Sequence, residues 1–275
     1  VAAATFSVQH QIKTLQMKEI GDHCGNSVRV AVIHAGPGAG KGTLAGNLRQ
    51  LFENEIRVVS ASEVIGELCR ADGNLANTPA VNKKLEEALG GLNLFEKVSV
   101  GGKLVPAVAR LPKMVFVEGW PRDEAQAEFC AELFAKHSLL QEVLVLHWQV
   151  ENSLSIARQM GRWANMLSGQ AVLRTDHTED ADAANRLAHH RLGIFREEEP
   201  KIIAACNRHG MRSVQFDGHG TPEKNLRDFL KITGWPFDER SIIQLFENQS
   251  ALSETERPSK EKKGSPAKMC ASAAA

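Results

Sequence analysis

Val28-Arg-Val-Ala-Val-Ile-His-Ala-Gly-Pro-Gly-Ala-Gly-Lys-Gly-Thr43 is the stretch whose reading decides the fold. Residues 28–33 are β-branched or small and apolar apart from Arg29, the pattern of a buried strand. Lys41 to Glu53 carries Leu44, Leu48, Leu51 and Phe52 at helical spacing. The glycines between strand and helix let successive backbone N–H groups turn inward onto phosphate oxygens, where a Cβ would obstruct the wrap. The helix N-terminus adds partial positive charge. Gly36, Pro37, Gly38, Ala39, Gly40, Lys41, Gly42 and Thr43 therefore read as a phosphate-binding loop. In it Lys41 supplies an ammonium for terminal phosphates and Thr43 supports Mg²⁺. The general G-x-x-x-x-G-K-[ST] pattern is not met literally: Ala35 stands where the first Gly belongs, and Gly42 separates Lys41 from Thr43.

Outward from this stretch, short apolar runs alternate with amphipathic segments. Further strands are expected at Ile56–Val59, Met114–Val117, Val143–Leu146 and Ser213–Phe216. Helices are expected at 123–136, 151–163, 179–209 (with a break near Pro200) and 222–232. Repeated β–α alternation predicts an α/β fold, a parallel sheet with helices on both faces and right-handed crossovers. Ligands of such sheets sit outside the carboxyl ends of the strands.

The 275 residues are enough for one large domain or two small ones. Lys+Arg and Asp+Glu are 33 each, so the chain has no net charge, which argues against nucleic acid or an anionic membrane surface as its ligand. No apolar run is long enough to cross a membrane. The five cysteines, Cys24, Cys69, Cys130, Cys206 and Cys270, form no CxxC pair, and free thiols in a reducing compartment, the cytoplasm, are expected. Residues 1–18 lack acids and hold two lysines but no arginine; they read as a lead-in to the fold, with an organelle-targeting segment as the alternative. Residues 250–275 hold five Lys/Arg and three Asp/Glu with few large apolar residues, and disorder is expected from about 250.

The Gly-Lys-Gly-Thr form of the loop is similar to the phosphate loop of adenylate kinases and their relatives, the nucleoside monophosphate kinases. Other segments agree in order. Gly102-Lys-Leu-Val-Pro106 resembles the family's GK(L/I)VP, and Glu118-Gly-Trp-Pro-Arg122 with Gln126 resembles DGFPR…Q. Arg158 and Arg162 fall where the family opens its lid, Arg174-Thr-Asp176 and Arg186-Leu187 resemble the signatures closing it, and Phe216-Asp217-Gly218 resembles VDG.

This resemblance covers about residues 27–235. It implies a three-layer α/β/α fold with five parallel strands in the order 2-3-1-4-5, a monophosphate-binding insertion over about 60–112 and a lid over about 162–176. Extensions lie at 1–26 and 236–275. It implies transfer of the terminal phosphoryl of Mg-ATP to a nucleoside monophosphate by a soluble protein expected to be a monomer. Lys41, Arg122, Arg158, Arg162, Arg174 and Arg186 would compensate charge during transfer. Ser60, Ala61, Lys103, Val105, Gly119, Arg122 and Gln126 would take the acceptor. Thr43 directly and Glu118 through water would attend Mg²⁺. Gln126 favours AMP, because an amide satisfies both a donor and an acceptor on adenine.

The lid arginines also have carboxylate neighbours for plain ion pairs: Glu151, Glu179, Asp180 and Asp182. His189 and His190 read as solvated, and His34 as a core hydrogen-bonding group. The chain departs from the family on the acceptor side. Gly66 stands where the family has an arginine, Ser62 replaces Gly, and Glu63 replaces Asp. Only Ala107 to Lys113 separate Pro106 from Met114, too few for the helix of about five turns that the family places there. An ATP-binding relative with impaired catalysis and a structural or regulatory role, or a UMP/CMP kinase, are the alternatives.

Overall fold

The computed structural model describes residues 28–255 except 73–77, 93, 96, 101–102, 107–111 and 168–179. The elements are β1 (Val30–Ala35), α1 (Lys41–Leu51), β2 (Ile56–Ser60), α2 (Ala61–Asp72), α3 (Thr78–Gly91), β3 (Lys97–Val100), β4 (Lys103–Pro106), β5 (Met114–Glu118), α4 (Glu124–Lys136), β6 (Val143–Gln149), α5 (Asn152–Leu167), α6 (Ala181–Arg208), β7 (Arg212–Asp217), α7 (Pro222–Thr233) and α8 (Glu239–Thr255).

Five strands form one parallel sheet in the order β2-β5-β1-β6-β7. Counted within that sheet the order is 2-3-1-4-5, as expected. β1 is central and buried on both faces, which is why it reads as a continuous apolar run rather than an alternation. Its even-numbered residues Val30 and Val32 join Val115, Val117, Val143 and Val145 in a cluster with Leu85 and Leu89 of α3, Phe134 of α4 and Ile202 and Cys206 of α6. Its odd-numbered residues point to the other face with Phe116, whose ring meets Phe229 of α7 edge-on at 5.3 Å.

Helix ends follow their capping residues. The Asp123 carboxylate accepts from Gln126 N–H at the start of α4. Thr221 caps α7 just before Pro222, and Gly234 ends that helix in the left-handed conformation at φ 67°.

Two expectations, the break near Pro200 and disorder from about residue 250, need correction. α6 runs unbroken for 28 residues through Pro200. Proline removes one helical hydrogen bond, but Leu192 on one side and Ile202, Ala205 and Cys206 on the other are buried and hold both halves in line. The GKLVP-like segment lies in a second, two-stranded antiparallel sheet in which Val98 faces Val105. Upstream of these strands α3 packs into the core through Val81, Leu85 and Leu89. Finally, the chain from Asp238 forms a separate compact unit. There α8 continues to Thr255, past the point where composition predicts disorder. Its start is capped by the Asp238 carboxylate, which accepts from Ser241 N–H at 3.1 Å.

No helix among the described residues is long and apolar enough to cross a membrane. Cys130 and Cys206 are free and buried, and burial pushes both thiols up, Cys206 to about 11. Neither is a nucleophile at neutral pH.

Candidate functional site

A cleft of about 520 Å³ opens at the carboxyl ends of β1 and β5. Its first wall is the loop after β1. Gly38 and Gly40 adopt φ of 78° and 104°, a region that costs any side-chain-bearing residue. Gly38 has a second constraint: a Cβ there would stand 2.3 Å from the Ser155 carbonyl oxygen of α5. Lys41 Nζ donates to the carbonyls of Ala35 (2.9 Å) and Gly36 (2.8 Å), so its ammonium is held across the mouth of the loop.

The second wall follows β5. The Glu118 carboxylate accepts from Ser60 Oγ through Oε1 at 2.9 Å. Its Oε2 is buried and has no partner among the described residues. Gly119 (φ 72°) turns the chain, and Trp120–Pro121 is cis. Arg122 is then pinned: Nε donates to Gly119 O at 2.7 Å, and Nη2 to Ser62 Oγ at 3.1 Å. The buried indole of Trp120 donates to Asn82 Oδ1 of α3 at 3.1 Å and anchors the turn.

The third wall is made by α5 and α6. Gln159, Arg162, Trp163 and Met166 come from α5; Ala184, Leu187, Ala188, Arg191, Ile194 and Phe195 come from α6. Ser155 Oγ donates to Pro37 O, and Arg158 Nη1 donates to Ala39 O at 3.2 Å, fastening α5 to the loop.

Lys41, Gly119, Arg122, Arg162, Glu118 and most of the glycine-rich loop are thus brought together. Other expected residues are placed elsewhere. Arg158 lies against the loop through Ala39 O and is not in the cleft wall. Thr43 is exposed on the first turn of α1, also outside the wall. Ser60 and Ala61 are buried under the second wall. Gln126 is buried, and its Oε1 accepts from the backbone N–H of Arg122 at 2.9 Å, so its carboxamide braces the turn. Lys103 and Val105 lie in the backbone of β4. Arg174 and most of the 162–176 segment lie outside the described residues. Arg186 is exposed and 3.7 Å from the Asp180 carboxylate, the plain ion pair that its neighbours allowed.

Arg191 is the cleft cation that the sequence reading missed. Two Arg-Leu pairs stand five residues apart, 186–187 and 191–192. Helical periodicity separates them. Ala184, Ala188, Arg191 and Phe195 repeat at 4-3-4 spacing and share the face that lines the cleft; Arg186 is off that face.

His34 and His147 lie on the α6 side of the sheet, their Nδ1 atoms 3.3 Å apart. Burial chiefly, then His147 and Lys41, lowers His34 to about 3. Burial lowers His147 to about 4, against the opposing pull of Glu199. Both are neutral at pH 7, and His34 also lines the cleft, while His189 and His190 are exposed. Among the described residues no group of three or more His, Cys, Asp or Glu side chains can enclose a metal.

No family model matches the chain.

Proposed function

We propose that this chain is an ATP-dependent phosphotransferase that moves the terminal phosphoryl group of Mg-ATP to a nucleoside monophosphate, with AMP the first acceptor to test. One observation carries the reading: a single cleft has Lys41 and the loop amides on one wall, a pinned Arg122 on the second, and Arg162 with Arg191 on the third. Three cationic walls around one space suit two anionic ligands that must meet end to end.

In the proposed reaction the loop and Lys41 hold the donor phosphates. Arg122 offers its guanidinium to the acceptor phosphate, already oriented by Gly119 O and Ser62 Oγ. The bond from the terminal phosphorus to the bridging oxygen breaks, and its electron pair stays on the departing diphosphate. An acceptor phosphate oxygen forms the new bond, so no general base is needed. Arg162 and Arg191 offset charge on the moving phosphoryl oxygens. The apolar stretch Trp163, Met166, Leu187 and Phe195 lowers the dielectric around them and excludes water.

Glu118 fits a cation carried with ATP, because its Oε2 is buried without a protein partner. Glu118 through water would hold Mg²⁺, which neutralises phosphate charge.

The acceptor base is less constrained than its phosphate, since the Gln126 carbonyl is engaged by Arg122 N–H and only its Nε2 is left for a base. Gly66 within α2 gives no second arginine to the acceptor, which favours the alternative of an ATP-binding protein with poor turnover. A coupled assay with Mg-ATP against AMP, GMP, UMP and CMP decides. Turnover of one monophosphate supports the kinase; ATP binding with no turnover of any of them leaves the second reading. Lys41→Ala is expected to lower turnover by about 10²–10³-fold while the thermal midpoint barely moves, since Leu44 and Leu48 keep α1 packed. Unchanged activity would remove the phosphate-loop assignment.

A further inference from the structure

We propose that Gln159 is a donor-side binding residue whose side-chain N–H groups hydrogen-bond the anionic oxygens of the phosphate chain seated in the 36–43 loop. The proposal rests on the reading of that loop as a polyphosphate site, and adds to it a neutral residue that no motif points to.

The argument begins with the face of α5. Residues 155, 158, 159 and 162 share it by helical spacing. Ser155 gives its hydroxyl proton to Pro37 O, and Arg158 donates to Ala39 O. Both spend their donors on loop carbonyls and so fix the helix against the loop. Arg162 faces the cleft one turn on. Gln159 lies between them over the loop: its Cγ is 3.2 Å from where a Cβ on Gly38 would stand, and the residue forms part of the cleft wall. Its Nε2 is buried and has no hydrogen-bond partner among the described residues.

An unmade donor in such a place is destabilising, and natural folds rarely keep one without a use. Met would fill the same space at no polar cost. A bound anion resolves the conflict: the donor is unspent because its partner is the ligand. A carboxamide also suits the electrostatics. It adds a donor without adding charge to a cleft that already collects Lys41, Arg122, Arg162 and Arg191.

The test compares wild type with Gln159→Met and Gln159→Glu in the full chain, by titration calorimetry with Mg-ATP and by thermal unfolding without nucleotide. Gln159→Met is expected to unfold at the wild-type temperature or above it, because an orphan donor has gone, and to bind ATP about tenfold more weakly. Gln159→Glu is expected to lose about a hundredfold, since a carboxylate then faces the phosphates. Wild-type ATP affinity in Gln159→Met overturns the proposal and leaves the loop assignment intact. Failure of the wild type itself to bind ATP overturns the loop assignment, and the proposal with it. Where Gln159→Met loses both stability and affinity, the charge variant decides: a further loss in Gln159→Glu supports the contact, and equality assigns Gln159 to packing.

Discussion

His34 Nδ1 and His147 Nδ1 lie 3.3 Å apart in adjacent strands, so one imidazole donates and the other accepts in the sheet below the glycine-rich loop. The pair accommodates two neutral rings and not two charged ones. Both groups titrate below the ordinary 6.5, His34 near 3 and His147 near 4. Below about pH 6.5 the unfolded chain therefore takes up protons that the folded chain refuses. Stability from this pair is full above that pH, falls as the pH drops, and stops falling near the folded values. With two protons involved, the slope reaches at most about 2.7 kcal/mol per pH unit. Urea midpoints from pH 7.5 to 4.5 check this. The double variant His34→Leu/His147→Leu removes both polar partners at once and is expected to show the shallower decline. Parallel curves for the two proteins would show that the pair is not the acid-sensitive element.

Arg186 and Arg191 are chemically alike and differ in the face of α6 that they occupy. Arg191→Ala is expected to lower turnover about 10²–10³-fold, the cost of removing one cation from a transition-state site. Arg186→Ala, exposed and paired with Asp180, is expected to stay within about threefold, because surface ion pairs contribute little. Steady-state kinetics on the two variants separate the two Arg-Leu pairs, and a reversed order would return the role to Arg186.

This exchange shows where a sequence is legible. The sheet is legible because β1, β5 and β6 are buried on both faces, and burial writes itself as uninterrupted apolar runs. The glycine-rich loop is legible because its pattern is local, with glycines, lysine and helix start within nine residues. Side-chain direction is not local. That the Gln126 carbonyl accepts from the Arg122 N–H is set by the turn, and four residues of spacing do not announce it. Lys103 and Val105, given a substrate role by the resemblance, stand in β4, and their antiparallel pairing with β3 is not announced by the motif. α3 carries Val81, Leu85 and Leu89 four residues apart among lysines and glutamates, a helical stripe that the sequence does display and the core buries.

Gly38 and Gly42 belong to one loop and are predicted to respond oppositely to alanine. Gly38 combines positive φ with a Cβ position 2.3 Å from a backbone oxygen of α5. Gly38→Ala is expected to cost about 2 kcal/mol or more, from both the left-handed backbone and the displaced helix. Gly42 lies in the first turn of α1 with nothing within 4 Å of its Cβ position. Gly42→Ala is expected to be neutral or to stabilise by about 0.5 kcal/mol, since alanine restricts the unfolded chain and suits a helix. Urea unfolding of the two variants measures the contrast. A stable Gly38→Ala protein would show that α5 is not held against the loop.

Asn82 connects α3 to the turn that carries Arg122. Its Oδ1 accepts from the buried Trp120 indole at 3.1 Å, two residues before Arg122 in a turn that also contains Pro121. Asn82→Ala leaves that N–H unmet in a buried place, at a cost of about 1–3 kcal/mol. Adding Trp120→Phe deletes the stranded donor, and the double variant is expected to be no less stable than Asn82→Ala, apart from the packing lost with the smaller ring. The functional consequence has a direction too. Trp120 anchors the turn that aims Arg122, whereas Lys41 is held by its own loop carbonyls. Asn82→Ala should therefore raise the KM for the monophosphate several-fold and leave the KM for ATP nearly unchanged. Equal rises in both constants would mean that α3 supports the cleft as a whole rather than its acceptor wall.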